Sequence, residues 1–387
     1  MPKIPSRMQS AGSLSSREIA WFRLQRHHLL DARPADPITI SRDVCGIQAQ
    51  VMSAAQIALW ARNHNIARAA IGAGLWQERS LVKTSLMRQT LHLIPAGEFS
   101  LYISAIKKSR VTAVLNIMAK FGITMKEVDA FTAAIMDALA PGPMTRMALT
   151  EVVKPKASKR VRAWMEKVWS VVRIPVAEGL ICYGPGESNQ ATFVRVDQWL
   201  PAQHSMTEKK AQCMLFRKYL RAYGPATARD FAHWSGISMK DAKLTCEYLK
   251  DELVEVDVDG TKNFLHRLDR DALKNPSSGQ SSVKLLPAFD PYLLAHAEKD
   301  HLVEARHYKR VYGNQWWISP VVLLDGRIAG TWSYRASGSK MEIEMQSFKG
   351  FSRTVRSGLE QEAAGLAHFF GKEPEIVARV LPPQDKK

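Results

Sequence analysis

The sequence lacks the features that mark membrane, secreted and disulfide-bonded proteins. It contains no run of about 20 apolar residues, which a membrane-spanning helix needs. Residues 1–16 contain no continuous apolar segment before a small-residue cleavage site, so no secretion signal is expected. The 4 cysteines are widely separated and form no Cys-x-x-Cys pair. We therefore expect reduced cysteines, no membrane partner and a cytoplasmic location at the nucleoid.

Common enzyme signatures are missing as well. The sequence contains no P-loop, no Gly-x-Gly-x-x-Gly, no His-Glu-x-x-His and no Gly-x-Ser-x-Gly. The sequence therefore gives no support for a nucleotide-dependent enzyme, a zinc protease or a serine hydrolase of the usual kinds. No cofactor and no metal ligand are predicted.

Positive charge is abundant and clustered. The 387 residues include 54 Lys and Arg against 37 Asp and Glu, a formal net charge of +17. One cluster, between Lys154 and Arg162, includes Lys159 and Arg160, and a second contains Lys107, Lys108 and Arg110. Such clusters suit the phosphate backbone of nucleic acid, although any single run could be only a solvated face. We predict Lys159 and Arg160 as DNA-binding residues.

The region between Thr207 and Arg267 has the order of elements of a winged helix-turn-helix. Apolar residues at helical spacing end at the breaker Gly224-Pro225, and a capping box at Thr227–Asp230 precedes the first of two short helices. Residues 253–258 then alternate with period two and lead into Asp259-Gly260, which is typical of a type I′ turn. Three helices followed by a hairpin predict a winged helix.

Two upstream regions repeat this pattern. In the nearer one, residues 131–140 and 161–178 are predicted to be helical, and residues 180–183 and 191–196 form the wing. In the farther one, residues 16–30 and 41–63 are predicted to be helical. Its irregular wing is predicted at residues 81–94.

After a linker at residues 275–279, the sequence turns to alternating strands and ends in an amphipathic helix and a tail broken by Pro382-Pro383. The predicted fold class is α+β, with three tandem winged helices and a β-rich C-terminal domain. The domains are predicted as follows: 1–124 with the Gln-x-Gln motif, 125–203, 204–274 and 275–387.

Gln48 and Gln50 form a Gln-x-Gln pair within the string from Gly46 to Arg62. In an α-helix the two side chains would point about 200° apart, whereas an extended backbone or a turn can direct both amides to one place. On spacing alone, a pair of surface or capping glutamines is the simpler interpretation.

The longer string resembles the winged-helix DNA glycosylases of the AlkZ type, bacterial enzymes with a Gln-x-Gln or Gln-x-Asp signature. The resemblance is carried by these segments: Leu14–Arg17, Gly46–Arg62, Leu81–Pro95, Tyr223–Asp230, Leu285–Asp290 with His296, and Val322–Trp332. It implies three winged helices and a β-rich domain curved around DNA, with Gln48 and Gln50 at the catalytic position. The expected partner is double-stranded DNA carrying alkylated bases, bound by a monomer.

Neutral amides suit one kind of glycosidic bond. An N7-alkylated purine is already cationic, so it can leave without protonation by a carboxylic acid. Gln48 and Gln50 are therefore predicted to orient the attacking water in a monofunctional glycosylase that acts in DNA repair on N7-alkylpurines and on interstrand crosslinks.

Four further residues are candidate DNA contacts. Arg62, Lys83 and Arg88 are predicted to bind backbone phosphate, with a salt bridge or a solvated face as the alternative for each. His92 is a fourth candidate, although we favour a packing role for it in a strand. The alternative function is a non-catalytic winged-helix DNA-binding protein or transcription regulator, since winged helices commonly serve that role.

Overall fold

The structure, a computed structural model, describes residues 10–30, 35–168, 171–187, 190–274, 281–313 and 317–380. It has a mixed α+β architecture, as predicted. The described helices are α1 (Ser16–Arg26), α2 (Pro37–Asp43), α3 (Met52–Trp60), α4 (Arg68–Trp76), α5 (Phe99–Ala119), α6 (Met125–Ala138), α7 (Arg146–Val153), α8 (Lys159–Val168), α9 (Arg173–Glu178), α10 (Val196–Trp199), α11 (Glu208–Tyr223), α12 (Ala228–Ser235), α13 (Met239–Tyr248), α14 (Arg270–Lys274), α15 (Pro291–Leu294), α16 (Tyr308–Val311) and α17 (Arg353–Phe369).

The described strands form three sheets. They are β1 (Ser10–Ser13), β2 (Ile47–Gln48), β3 (Leu81–Ser85), β4 (Leu91–Pro95), β5 (Met144–Thr145), β6 (Ile181–Glu187), β7 (Gln190–Arg195), β8 (Leu253–Val258), β9 (Thr261–His266), β10 (Val283–Leu286), β11 (Val321–Leu324), β12 (Arg327–Ser337), β13 (Lys340–Ser347) and β14 (Glu373–Val380). The strand orders are β1-β8-β9, β2-β4-β3-β6-β7-β5 and β10-β11-β12-β13-β14.

The third region has its elements in the expected order. Helices α11, α12 and α13 precede the antiparallel hairpin β8–β9. Thr227 and Asp230 form the expected capping box at the start of α12, because each side chain accepts a hydrogen bond from the other's backbone N–H. Asp259 and Gly260 adopt left-handed φ values of 50° and 78°, which the tight turn between the two strands requires.

The second region differs from its prediction in one helix. The expected helix at residues 161–178 is divided into α8 and α9. Pro175 explains why one helix cannot continue through this range, since proline has no N–H to donate and its ring meets the preceding turn. Strands β6 and β7 pair antiparallel at the predicted wing, with Cys182 opposite Val194.

In the first region, the predicted wing is the antiparallel hairpin β3–β4, with Thr84 opposite His92. The helical prediction for residues 41–63 is correct over α3 but wrong at β2. Cys45 and Gly46 have φ values of 58° and 98°, and this left-handed turn ends α2 and directs the chain into the sheet. Because β3 also pairs with β6, one sheet joins the first two regions.

The C-terminal module is a five-stranded sheet covered by α17, whose apolar face includes Leu359, Ala363 and Leu366. The segment after α17, for which the sequence predicted only a tail broken by Pro382-Pro383, includes β14, which runs parallel to β13. Pro374 is compatible with this strand because β14 lies at the edge of the sheet, where an N–H donor can be missing. The predicted linker and Pro382-Pro383 lie outside the described residues.

Among the described residues, no helix combines the length and the apolarity that crossing a membrane requires. The four cysteines are buried and unpaired with one another.

Candidate active site

Gln48 ends a short strand at the edge of the six-stranded sheet, and Gln50 lies in the bend that follows it. Gln48 ends β2 opposite His92 of β4, and the Ala49 N–H continues the ladder by donating to the Leu91 carbonyl at 2.7 Å. The chain bends at Gln50, so the strand alternation that places residues i and i+2 on one side does not extend through it. Each amide instead contacts the β3–β4 hairpin through its own hydrogen bond, Gln48 with Arg88 and Gln50 with the Leu91 N–H.

Gln48 is the inner member of the pair. Its side chain is buried, and its amide oxygen Oε1 accepts a hydrogen bond from Arg88 Nη2 at 3.2 Å. A charged donor holds such an oxygen more firmly than a neutral one does. The arginine therefore fixes the orientation of the Gln48 carboxamide while leaving one lone pair of its oxygen available.

Arg88 occupies the tip of the β3–β4 hairpin in a conformation that non-glycine residues seldom adopt. Its φ is 54° and that of Gln89 is 62°, both in the left-handed region. Arg88 Nη1 donates to the Trp234 carbonyl of α12 at 2.7 Å, and burial lowers its pKa to about 10. Strained backbone of this kind often occurs at functional sites, and here it directs the side chain toward Gln48.

Gln50 is the outer, exposed member of the pair. Its Oε1 accepts a hydrogen bond from the backbone N–H of Leu91 at 3.3 Å. The side chain lines a cleft of about 350 Å³ between the hairpin, α5 and α9. The other lining residues are Ser85, Gln89, Leu91, Arg110, Val114, Val172, Arg173, Val176, Ala177 and Tyr183.

The cleft is polar and cationic, with no carboxylate among the described residues that line it. Two arginines, Arg110 and Arg173, border it, and a carboxamide and a phenol contribute further polar groups. Proton transfer by aspartate or glutamate is therefore not offered at this place. The arrangement can position a water molecule and present amide dipoles to a developing positive charge.

The prediction that Arg62 binds backbone phosphate is wrong. Its side chain is 0% exposed and forms a two-pronged ion pair with the equally buried Asp290, with both N···O distances 2.8 Å. Arg62 Nη1 also donates to the Ala58 carbonyl, and Nη2 lies 3.3 Å from His27 Nδ1. The salt-bridge alternative for Arg62 is therefore the one that the structure bears out, joining α3 to the C-terminal module.

The other predicted DNA contacts divide by exposure. Lys83 is half-buried in β3, with its Nζ 5.8 Å from the ring centroid of Tyr183, and burial lowers its pKa. Lys159 and Arg160 begin α8 on the surface, and Arg160 Nη1 lies 3.5 Å from Glu127. A DNA contact by Lys83, Lys159 or Arg160 stays a prediction, whereas Arg88 has both terminal nitrogens engaged within the protein.

His92 packs within the sheet, as favoured above, and a direct DNA contact would require it to leave its strand. The ring is 2% exposed, and Nδ1 lies 2.9 Å from the Thr90 carbonyl. Burial first, and the nearby Arg88 charge second, lower its pKa to about 3. A histidine this weakly basic stays neutral near pH 7 and is poorly suited to acid–base catalysis there.

Three buried histidines should make the fold sensitive to acid. The pKa values of His27, His92 and His296 lie below the ordinary histidine value, chiefly because burial disfavours the imidazolium. Each is neutral when folded and becomes charged when unfolded below about pH 6.5, so the stability that it contributes above that pH is lost as pH falls.

We expect the free energy of unfolding to fall by up to about 1.4 kcal/mol per pH unit for each of these histidines between pH 6.5 and 5. Thermal denaturation at a series of pH values measures the effect, and a His92→Gln variant should show a shallower decline. A melting temperature that stays constant between pH 7.5 and 5 would contradict the prediction.

Arg110 was predicted only as part of a surface cluster, but the structure separates it from its neighbours. Lys107 and Lys108 are exposed, whereas Arg110 is buried beside the cleft. The signal was available, since Arg110 follows Ile106 and precedes Val114 at intervals of four residues and so shares their buried helix face. Among the described residues, no cluster of three or more His, Cys, Asp or Glu is arranged to hold a metal ion.

Comparison with known proteins assigns the family. A family model for AlkZ-like DNA glycosylases matches residues 42–369. The chain is 32% identical over 372 residues to an interstrand DNA cross-link repair glycosylase of Streptomyces sahachiroi. The aligned region covers 92% of this chain and 97% of that protein. This structure superposes on the solved structure of Streptomyces sahachiroi DNA glycosylase AlkZ with a TM-score of 0.84 and 27% sequence identity. The superposition covers 95% of this chain and 100% of the AlkZ chain. The chain therefore belongs to the AlkZ-like DNA glycosylase family, and it is a DNA glycosylase.

Proposed function

We propose that this glycosylase hydrolyses the N-glycosidic bond of N7-alkylated purines in double-stranded DNA and leaves an abasic site. The observation that carries this proposal is the composition of the cleft, in which Gln50 is accompanied by a second carboxamide, Gln89, and by two arginines but by no described carboxylate. A neutral amide cannot protonate a leaving base. The substrate must therefore carry a base that departs without an added proton.

The two glutamines take different tasks in this mechanism. The exposed Gln50 positions the attacking water, because it lines the cleft and the Leu91 N–H fixes its amide oxygen. Gln48 presents its oriented carbonyl dipole to the positive charge that develops on the sugar, with Arg88 as a positioning residue. An N7-alkylated purine assists both steps, since its own charge weakens the bond.

Binding to DNA is proposed to use the repeated helix-and-hairpin regions. The three act as tandem winged helices, with boundaries at 1–124, 125–203 and 204–274, and residues 275–387 complete a C-shaped surface around the duplex. Lys83, Lys159 and Arg160 contribute phosphate contacts to it. One chain carries all these parts, which suits a monomer better than the dimer with one reading helix per protomer that regulators use.

Interstrand crosslinks are a second proposed substrate. The relative of 32% identity is named as a cross-link repair glycosylase, and the site of this chain is an open cleft bordered by an exposed glutamine. A base joined to the opposite strand cannot enter a closed pocket, so an open site is the geometry that unhooking needs. The alternative of a non-catalytic regulator is set aside by family membership.

The excision reaction should discriminate by charge on the base. We expect release of N7-methylguanine from duplex DNA to exceed release of uracil by at least about 10³-fold in single-turnover rate, because only the cationic base leaves without acid catalysis. Alkaline cleavage of the abasic product on denaturing gels measures both rates. Comparable excision of uracil would remove the basis of the proposal.

A further inference from the structure

Arg110 is a buried cation at the edge of the candidate active site. It lies on α5, its residue is 7% exposed, and it lines the same cleft as Gln50 and Tyr183. Its charge also acts on His92, which lies opposite Gln48 in the sheet. Arg110 therefore borders the same cleft as Gln50, although it lies on a different element of the fold.

The guanidinium of Arg110 is not satisfied by the protein. Its Nε and Nη1 atoms are buried without a hydrogen-bond partner among the described residues. Burial lowers its pKa to about 10, and no neighbouring carboxylate opposes that shift. The group remains charged near pH 7, so a buried charge is maintained here without the anion that ordinarily accompanies one.

Other buried arginines of this chain are bound differently. Arg62 is paired with Asp290. Arg23 donates to the carbonyl groups of Tyr223 and Pro225. Retaining an unpaired guanidinium costs solvation free energy that a protein recovers when an anion binds, whereas Arg62 and Arg23 donate to a carboxylate or to carbonyl groups of the protein.

We propose that Arg110 binds a backbone phosphate next to the damaged nucleotide and thereby sets the position of the sugar relative to Gln50. This inference rests on the proposed function, since it takes the cleft to be the place where the damaged nucleotide lies. A phosphate carries the full negative charge that a buried guanidinium lacks, and it accepts two parallel hydrogen bonds from one.

The charges that line the cleft also indicate where the phosphate and the base would lie. A cationic N7-alkylated base would be repelled by Arg110 and by the neighbouring Arg173. The phosphate is therefore placed beside the arginines, and the base is placed beside Gln50. Arg110 is a positioning residue in this arrangement, because it acts on the reacting sugar through the phosphate.

The test measures binding, so that it does not depend on catalysis. Duplexes containing one tetrahydrofuran abasic analogue carry a neutral methylphosphonate at one phosphate at a time within three positions of the analogue. Binding affinities are compared for the wild type, Arg110→Gln and Arg217→Gln. Arg217 is the matched control, since it loses the same charge but is ion-paired with Glu252 and does not line the cleft.

We expect one methylphosphonate position to weaken wild-type binding roughly tenfold, and to weaken Arg110→Gln hardly at all. Arg217→Gln should keep the wild-type profile. Equal sensitivity of Arg110→Gln and the wild type at every position would overturn the proposal. If Arg110→Gln does not fold, Arg110→Lys replaces it and should show a reduced penalty at the same phosphate, whereas an unchanged profile would count against the proposal.

This experiment separates the two claims. If the effect of one methylphosphonate depends on Arg110 but the protein releases no N7-methylguanine, the Arg110 phosphate site is supported and the proposed substrate is refuted. If the protein releases N7-methylguanine but no methylphosphonate effect depends on Arg110, only the Arg110 phosphate site is refuted.

Discussion

Replacing Gln50 by alanine should lower the single-turnover rate of N7-methylguanine release by about 10²–10³-fold, the usual cost of removing one preorganised polar group from a reacting centre. Gln50 is exposed and makes one described hydrogen bond, to the Leu91 N–H, so its removal should leave the fold intact. Alkaline cleavage of the abasic product measures the rate.

Gln361→Ala is the matched control for this experiment. Gln361 is an exposed glutamine on α17, outside the cleft, and its variant should release the base at the wild-type rate. Melting temperatures of both variants should lie near that of the wild type. A Gln50→Ala enzyme that retains activity within threefold of the wild type would refute the role assigned to this glutamine.

The second large effect concerns stability. Arg62→Met should lower the free energy of unfolding by about 3–5 kcal/mol, because it leaves the Asp290 carboxylate buried without its cation. Urea denaturation followed by circular dichroism measures the change. Arg356→Met, at an exposed position of α17, should change the free energy by less than about 0.5 kcal/mol.

A double variant distinguishes loss of the ion pair from loss of packing. Asp290→Asn removes the charge but retains a side-chain oxygen that can accept the hydrogen bond from the Tyr292 N–H. Arg62→Met combined with Asp290→Asn should therefore be more stable than Arg62→Met alone. If the double variant is the less stable of the two, the buried charge is not the cause of the instability.

Local sequence patterns predicted much of the fold. Capping residues, the Asp259-Gly260 turn and alternating strands are local signals, and they located α12, the hairpin β8–β9 and the wing β6–β7. Long-range pairing left no comparable signal. The parallel contacts of β1 with β8 and of β14 with β13 join segments distant in sequence, so periodicity within either segment could not reveal them.

The site was predicted in part. Gln48 ends a strand and Gln50 lies in the bend that follows, so neither is in a helix, but spacing alone did not distinguish Arg62 from Arg88. Both are arginines near the motif, and only tertiary packing decides which one meets a carboxylate and which one meets a glutamine. The burial of Arg110 was readable from the helix period.

The contact between Gln50 and Leu91 has an evolutionary consequence. The donor is a main-chain N–H, which every amino acid except proline supplies. The side chain at position 91 can therefore be replaced by any other except that of proline while the Gln50 carboxamide keeps this hydrogen bond. Descendants of this enzyme can remodel that wall of the cleft, and with it the range of adducts accommodated, without disturbing the water-holding group.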